Sequence, residues 1–210
     1  MIQARQWDYI IWDFNGTILD DVETGMDSVN VLLKERGLPL IGSAGEYRRV
    51  FGFPIRDYYE RLGFDFTKEP YEVIAPLWIE QYLSRVENAP MFDDVREVLN
   101  FFRSQGICQI VLSATEIQML TGQLKQLGIS DYFEEILGLD NIHAASKIAL
   151  AIDWRKRHPK AKVLFLGDTD HDVQTAKEIN AECVLIARGH QSAETLGRLG
   201  VPIFSDLRKL

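Results

Sequence analysis

The sequence predicts an α/β protein: a doubly wound, mainly parallel sheet with an all-helical subdomain inserted after the first strand. Three observations lead there. The apolar run Tyr9-Ile10-Ile11-Trp12 passes directly into Asp13-Phe14-Asn15-Gly16-Thr17, as a buried parallel strand delivers a polar turn at its C-terminal tip. From Asp93 onward, apolar runs alternate with helical patterns, the signature of successive βαβ units. Between Asp20 and Asn88 there is no convincing strand, only stretches of helical periodicity. The expected division is a core of residues 1–19 and 89–210, with a helical insert over 20–88.

In chain order, a helix is expected from Val22 to Arg36, ended by Gly37. Two shorter ones follow, from near Ala44 and near Ile55, separated by the loop Phe51-Gly52-Phe53-Pro54. Pro70 opens a fourth helix over Tyr71 to Val86, and Asn88-Ala89-Pro90 reads as the hinge back to the core. A helix from Val95 to Gln105 is closed by Gly106, and the strand Ile107 to Leu112 ends in Ser113-Ala114-Thr115. The next helix spans Glu116 to Leu127 and stops at Gly128; Phe133 to Leu137 reads as a short strand and Lys147 to Arg157 as a helix. The strand Lys162 to Leu166 runs into Gly167-Asp168-Thr169-Asp170-His171-Asp172, followed by a helix to Asn180, the strand Cys183 to Ala187 and a last short strand at Pro202-Ile203-Phe204.

Composition narrows the function classes. With 210 residues, 46% hydrophobic and 26% charged, the chain can bury a sizeable core. A formal charge of -8 argues against a surface built for nucleic acid or anionic lipid. Residues 1–8 lack the apolar core of a leader, and no stretch approaches the ~18 apolar residues of a membrane span, so a cytoplasmic protein, monomeric or homodimeric, is expected. Cys108 and Cys183 sit in separate apolar runs without metal-ligand spacing, as buried structural thiols do.

Five polar residues follow predicted strands or open helices, and each has a plain reading beside a chemical one. Asp13 is a carboxylate at a strand tip; as a nucleophile on phosphorus it needs a cation to offset its charge and the target's. Asp168 and Asp172 are suited to a hard ion such as Mg2+, although Asp is favoured at any helix N-terminus. Ser113 offers a hydroxyl and neighbouring N–H groups to phosphate oxygens, or caps the next helix. Lys147 is either a neutralising cation or a surface lysine.

Together and in this order, these pieces resemble the haloacid dehalogenase superfamily. Asp13-Phe14-Asn15-Gly16-Thr17 matches its first motif, Ser113 its second, Lys147 its third and Gly167 to Asp172 its fourth. Leu127-Gly128-Ile129-Ser130-Asp131-Tyr132-Phe133 is similar to the segment before the third motif in the phosphoglycolate phosphatase-like branch, and the helical insert sits where members carry a cap. The resemblance implies a Rossmannoid core and a Mg2+-dependent phosphatase acting on a small phosphorylated metabolite. Asp13 would form an aspartyl-phosphate, and Mg2+ would sit on Asp13, Asp168 and the backbone carbonyl of Asn15. Ser113, with Ala114, Gly16 and Thr17, would bind the phosphoryl group, Lys147 would stabilise the nucleophile, and Asp172 would orient Lys147 or a metal-bound water.

The chain departs from the family pattern at one position. Phosphatases of the family usually carry Asp two residues after the nucleophile, as acid and then base; here it is Asn15, whose amide cannot shuttle a proton. General acid–base catalysis is worth ~10²–10⁴-fold. Three readings follow: a slow phosphatase, or one limited to acyl and aryl phosphates; a phosphonatase-like hydrolase using Lys34 or Lys68 as a Schiff base; and a silent phosphate-ligand sensor. Arg48, Arg49 and Arg56 flank the Phe51–Pro54 loop, and Arg56 is the candidate reader of a substrate anion. His171 and the segment Ala187 to Ser192 are read as rim, Phe64 and Trp78 as core.

Overall fold

Strand β1 (Tyr9–Trp12) earns its central place by its side chains. Ile10 and Trp12 face one way and Ile11 the other, as the two-residue period of a strand requires, and all three are fully buried. Each such side chain contributes ~1.5–3 kcal/mol of burial, so both faces must be covered. The computed structural model describes residues 6–140 and 147–210; most of the stretch 1–8, expected to lack the apolar core of a leader, lies outside the described residues.

Along the chain α1 (Val22–Glu35), α2 (Ala44–Val50), α3 (Ile55–Arg61) and α4 (Tyr71–Val86) precede α5 (Val95–Ser104) and β2 (Cys108–Glu116). There follow α6 (Ile117–Gln126), β3 (Glu135–Leu139), α7 (Ile148–Arg157), β4 (Val163–Gly167), α8 (Asp170–Glu178), β5 (Glu182–Ile186), α9 (Ala193–Leu196) and β6 (Ile203–Phe204). The sheet is parallel throughout, in the order β3-β2-β1-β4-β5-β6. The chain builds outward from β1 to β3, returns to the other side of β1 and builds out again, which is the doubly wound arrangement expected. The reversal falls between β1 and β4, where ligands bind in such sheets.

Two apolar clusters cover the sheet. One joins Ile10, Trp12, Val111 and Leu166 to Leu99 and Phe102 of α5 and Leu120 and Leu124 of α6. The other joins Ile11, Ile110 and Phe165 to Trp154 of α7 and Val173 of α8. A third cluster lies among α1–α4, on Val29, Leu33, Tyr47, Tyr58, Tyr59, Phe64 and Ile74. Trp78 packs against both the first and third clusters, while Tyr82 and Val86 at the end of α4 belong to the first. The chain passes into and out of the helical segment side by side: Asp20 N–H donates to the Pro90 carbonyl (2.8 Å) and Phe92 N–H to the Ile18 carbonyl (3.0 Å).

Several boundaries differ from the sequence reading. Strand β2 does not stop at Leu112 but continues to Glu116, with a register irregularity on β3 between Leu112 and Glu116. The cap of α6 is therefore Glu116, which accepts from Gln118 and Met119 N–H, and Ser113 is not an N-cap. Strand β3 begins at Glu135 rather than Phe133. Of the two thiols Cys183 is buried and Cys108 only half-buried.

Candidate active site

Register alone brings the strand tips together. Trp12 lies level with Val111 of β2 and Leu166 of β4, so Asp13 is one residue past that level, and Ser113 and Asp168 are two. Lys147, immediately before α7, reaches the same point. Its ammonium donates to Oδ1 of Asp13 and to Oδ1 of Asp172 (2.6 Å), and all three side chains are buried. Asp13, Asp168 and Asp172 each place a carboxylate oxygen within 4.8 Å of the others'.

Asp172 is held from several sides. Its Oδ2 accepts from the N–H of Asp168 (3.0 Å), the N–H of Thr169 (2.9 Å) and the Thr169 hydroxyl (2.7 Å), tying the β4–α8 turn to the lysine. Asp168 accepts from the Thr17 hydroxyl at 3.3 Å and the His190 N–H at 2.6 Å. The close approach of these loops depends on glycine: Gly16 has φ 72°, and a Cβ at Gly16 or Gly189 would overlap the Asp168 carboxylate.

The electrostatics follow from burial. Burial pushes the pKa of Asp13 well up, Lys147 pulls against it, and Asp172 and Asp168 reinforce it. Burial likewise raises Asp168 to about 7, with His190 opposing. Burial works against the charge on Lys147, but Asp13 and Asp172 more than offset it and its pKa rises. Asp172 is lowered: burial opposes ionisation, and Lys147 with the Thr169 bonds overcomes it. With all three carboxylates ionised, one ammonium leaves two negative charges, which one divalent cation would neutralise and so hold in the ionised state. Hard oxygen donors in that number suit Mg2+.

Asn15 has a different setting from the one its place in the motif implies. Its Oδ1 accepts from the hydroxyls of Thr115 (2.8 Å) and Ser113 (3.3 Å), and its Nδ2 donates to Asp21 Oδ2 (2.9 Å) and to the Tyr82 hydroxyl oxygen (2.8 Å). Asp21 also accepts from Tyr82 (2.6 Å), from Gly16 N–H (2.9 Å) and from His190 Nε2 (3.1 Å). The other His190 ring nitrogen lies 3.0 Å from the Tyr47 hydroxyl. Burial opposes the His190 charge, yet Asp21 raises its pKa to about 9, so it is an imidazolium at neutral pH and donates from both nitrogens. Asp21 is lowered: burial opposes its ionisation, and His190 with the Tyr82 and Asn15 hydrogen bonds together overcome it.

The structure thus gathers Asp13, Asn15, Gly16, Thr17, Ser113, Lys147, Asp168 and Asp172 in one place. Ala114, between buried Ser113 and Thr115, points out and is exposed, as strand alternation dictates, so only its backbone could serve a phosphate. Arg56 is not brought to the cluster. Its half-exposed guanidinium engages Glu60 at 3.5 Å and lies 4.9 Å from the Phe66 ring centre, both within the helical segment. Arg48 instead joins the two parts, donating to the carbonyls of Gly189 (2.8 Å) and Arg188 (2.9 Å). Phe53 stacks on His171 with ring centres 4.7 Å apart. Sequence reasoning missed Asp21, Tyr47, Tyr82, Thr115 and the part played by His190; the only hint was an acidic pair directly after the first motif.

Residues 10–186 match the family model for haloacid dehalogenase-like hydrolases. The chain is 23% identical to a phosphoglycolate phosphatase of Pseudomonas savastanoi, over 96% of this chain and 77% of that one. A phosphoglycolate phosphatase of Caulobacter vibrioides is 26% identical over 95% and 89%. Among solved structures, a predicted phosphatase from Clostridium acetobutylicum superposes with a TM-score of 0.79 at 19% identity, over 97% of this chain and 95% of that one.

Proposed function

The chain belongs to the haloacid dehalogenase-like hydrolase family, and on that footing we propose a Mg2+-dependent phosphatase that hydrolyses a small phosphorylated metabolite through Asp13. The observation that carries the reading is the buried bridge from Lys147 to both Asp13 and Asp172, with Asp168 alongside. Nothing in sheet packing calls for three buried carboxylates at one point, and such a cluster is costly unless it holds cations.

Each residue then has a task. Lys147 fixes the Asp13 carboxylate by one oxygen and, together with the metal charge, would favour its ionised form for attack on phosphorus. The Ser113 hydroxyl would hold a phosphoryl oxygen. The carboxylates of Asp13 and Asp168 and the carbonyl of Asn15 would hold Mg2+, which supplies charge to offset the phosphoryl oxygens. As the Asp13 oxygen bonds to phosphorus, the bond to the leaving oxygen breaks and its electron pair departs with the leaving group. Asn15 has no proton to give it. Water then attacks phosphorus and releases Asp13. The division into a core of residues 1–19 and 89–210 and a cap of 20–88 gives this chemistry a cover, since residues on α2 and α4 reach the loops around Asp13.

The relatives' names make phosphoglycolate the first compound to test, and the missing acid makes it a demanding one, because its alkoxide leaves poorly unprotonated. Acetyl phosphate and p-nitrophenyl phosphate are the easier substrates. The Schiff-base reading is not favoured: Lys34 is exposed, and Lys68 is 82% exposed and paired with Asp65. Release of phosphate from p-nitrophenyl or acetyl phosphate that requires Mg2+ and disappears in a folded Asp13→Asn protein is the expected result. Equal release with Asp13→Asn would overturn the assignment.

A further inference from the structure

Positions 15 and 21 form one chemical unit, and we infer that Asp21 is a positioning residue that dictates an amide at position 15. For its catalytic arm the inference rests on the phosphatase reading; its structural arm does not. The Asn15 amide is held at both ends: Thr115 donates to its oxygen at 2.8 Å, the single Ser113 proton goes to that oxygen (3.3 Å) or to Thr115 (2.9 Å), and the NH₂ donates to Asp21 and Tyr82. Only this orientation is chemically allowed, because a carboxylate cannot face the amide oxygen. Asp21 is 1% exposed and itself accepts four bonds, from Asn15, Gly16, Tyr82 and His190. These partners come from the first motif, α4 and the loop after β5, so Asp21 joins the phosphate loop to both parts of the molecule.

A carboxylate at position 15 would set an oxygen where the NH₂ group stands, 2.9 Å from Asp21 Oδ2 and 2.8 Å from the Tyr82 oxygen. Tyr82 has a single proton and satisfies only one of the two acids. Two carboxylate oxygens would then face each other across the 2.9 Å now spanned by the amide N–H, with one Tyr82 proton for the two, so the side chain at position 15 is driven away from Thr115 and Ser113. An acid restored at position 15 alone is therefore a misplaced one. Exchanging the pair keeps the geometry: an amide at position 21 still accepts from Gly16 and His190 through its oxygen and donates to the carboxylate opposite. Tyr82 then directs its proton to position 15.

The test is a double-mutant cycle of wild type, Asn15→Asp, Asp21→Asn and Asn15→Asp/Asp21→Asn, read by thermal melting in chelator and by Mg2+-dependent hydrolysis of phosphoglycolate. Each single substitution is expected to lower the melting temperature, and the double to recover at least about half of the summed loss. On phosphoglycolate the double should gain about tenfold or more over wild type, within the range of an acid–base catalyst, while Asn15→Asp alone gains less than about threefold. If Asn15→Asp fails to fold and the double folds, the coupling is supported. Additive melting losses, or an Asn15→Asp protein that melts like wild type and gains the full rate, would overturn it. Coupled melting with no turnover in any of the four proteins supports the pairing and overturns the phosphatase reading instead.

Discussion

Replacing Lys147 by Met tests the electrostatics of the site with little change in packing volume. Met fills most of the space of the lysine stem, so no sizeable cavity adds to the effect. What is lost is the ammonium between Asp13 and Asp172, in a setting where the lysine side chain is 4% exposed and the carboxylates 9% and 0%. Breaking a buried ion pair costs about 3–5 kcal/mol, because the surviving charges are left without a partner. Asp13, whose pKa burial already pushes well up, can escape by binding a proton, so the low end of that range applies. In a chain of this size ~3 kcal/mol lowers the melting temperature by about 6–12 °C. The raised pKa of Lys147 means that its contribution is complete below the ordinary lysine range and is lost only as pH climbs beyond it, so melting at pH 8 in chelator measures the whole effect. Added Mg2+ should shrink the deficit by replacing the missing cation. A Lys147→Met protein that melts within about 2 °C of wild type in chelator, a loss below ~1 kcal/mol, would refute the reasoning.

Two further outcomes follow from titration. His190 is raised from 6.5 to about 9, so its contribution is full below pH 6.5 and lost as pH rises towards 9; a loss of up to about 3 kcal/mol over that window should flatten in His190→Gln, as read by denaturant melts across pH. Asp168 is raised from 3.8 to about 7, so the metal-free fold loses stability as pH rises through that interval, and below about pH 7 a proton would compete with Mg2+ for this carboxylate. The Mg2+ concentration that half-protects against thermal unfolding should therefore rise at least about tenfold for each pH unit below 7, and an Asp168→Asn protein should show a shallower trend, carried by Asp13, whose carboxyl burial also pushes well up.

The parts of the molecule that were legible in the sequence are those set by local pattern. Tyr9–Trp12 is a short apolar run with β-branched and aromatic residues, and the polar tips that follow each strand can be read without knowing their neighbours. What could not be read is which of two like residues is buried. Asp20 is exposed and Asp21 is 1% exposed, yet in sequence they are an acidic pair at the mouth of a helix. Asp21 gains its meaning from Tyr82, 61 residues on, and from His190, 169 residues on, and no periodicity carries contacts of that range. Arg56 fails for the converse reason, since a cation beside an aromatic loop looks the same whether it faces a ligand or stacks on Phe66. The sequence pattern ends strand β2 at Leu112 because Ser113, Ala114 and Thr115 are small and two of them polar, and the register with β3 that prolongs it lies in the partner strand.

The paired crossing at Ile18–Asp20 and Pro90–Phe92 has a consequence for how such a molecule can vary. Because the outgoing and returning chain are hydrogen-bonded neighbours, the sheet meets everything between them at one stem, much as a branch meets a trunk. Lengthening, trimming or exchanging that branch leaves the strand order and the row of tips above Asp13 undisturbed, provided the stem closes. The helical segment and the sheet can thus be altered separately, except where Asp21, Tyr82, Tyr47 and Arg48 stitch the branch back to the trunk.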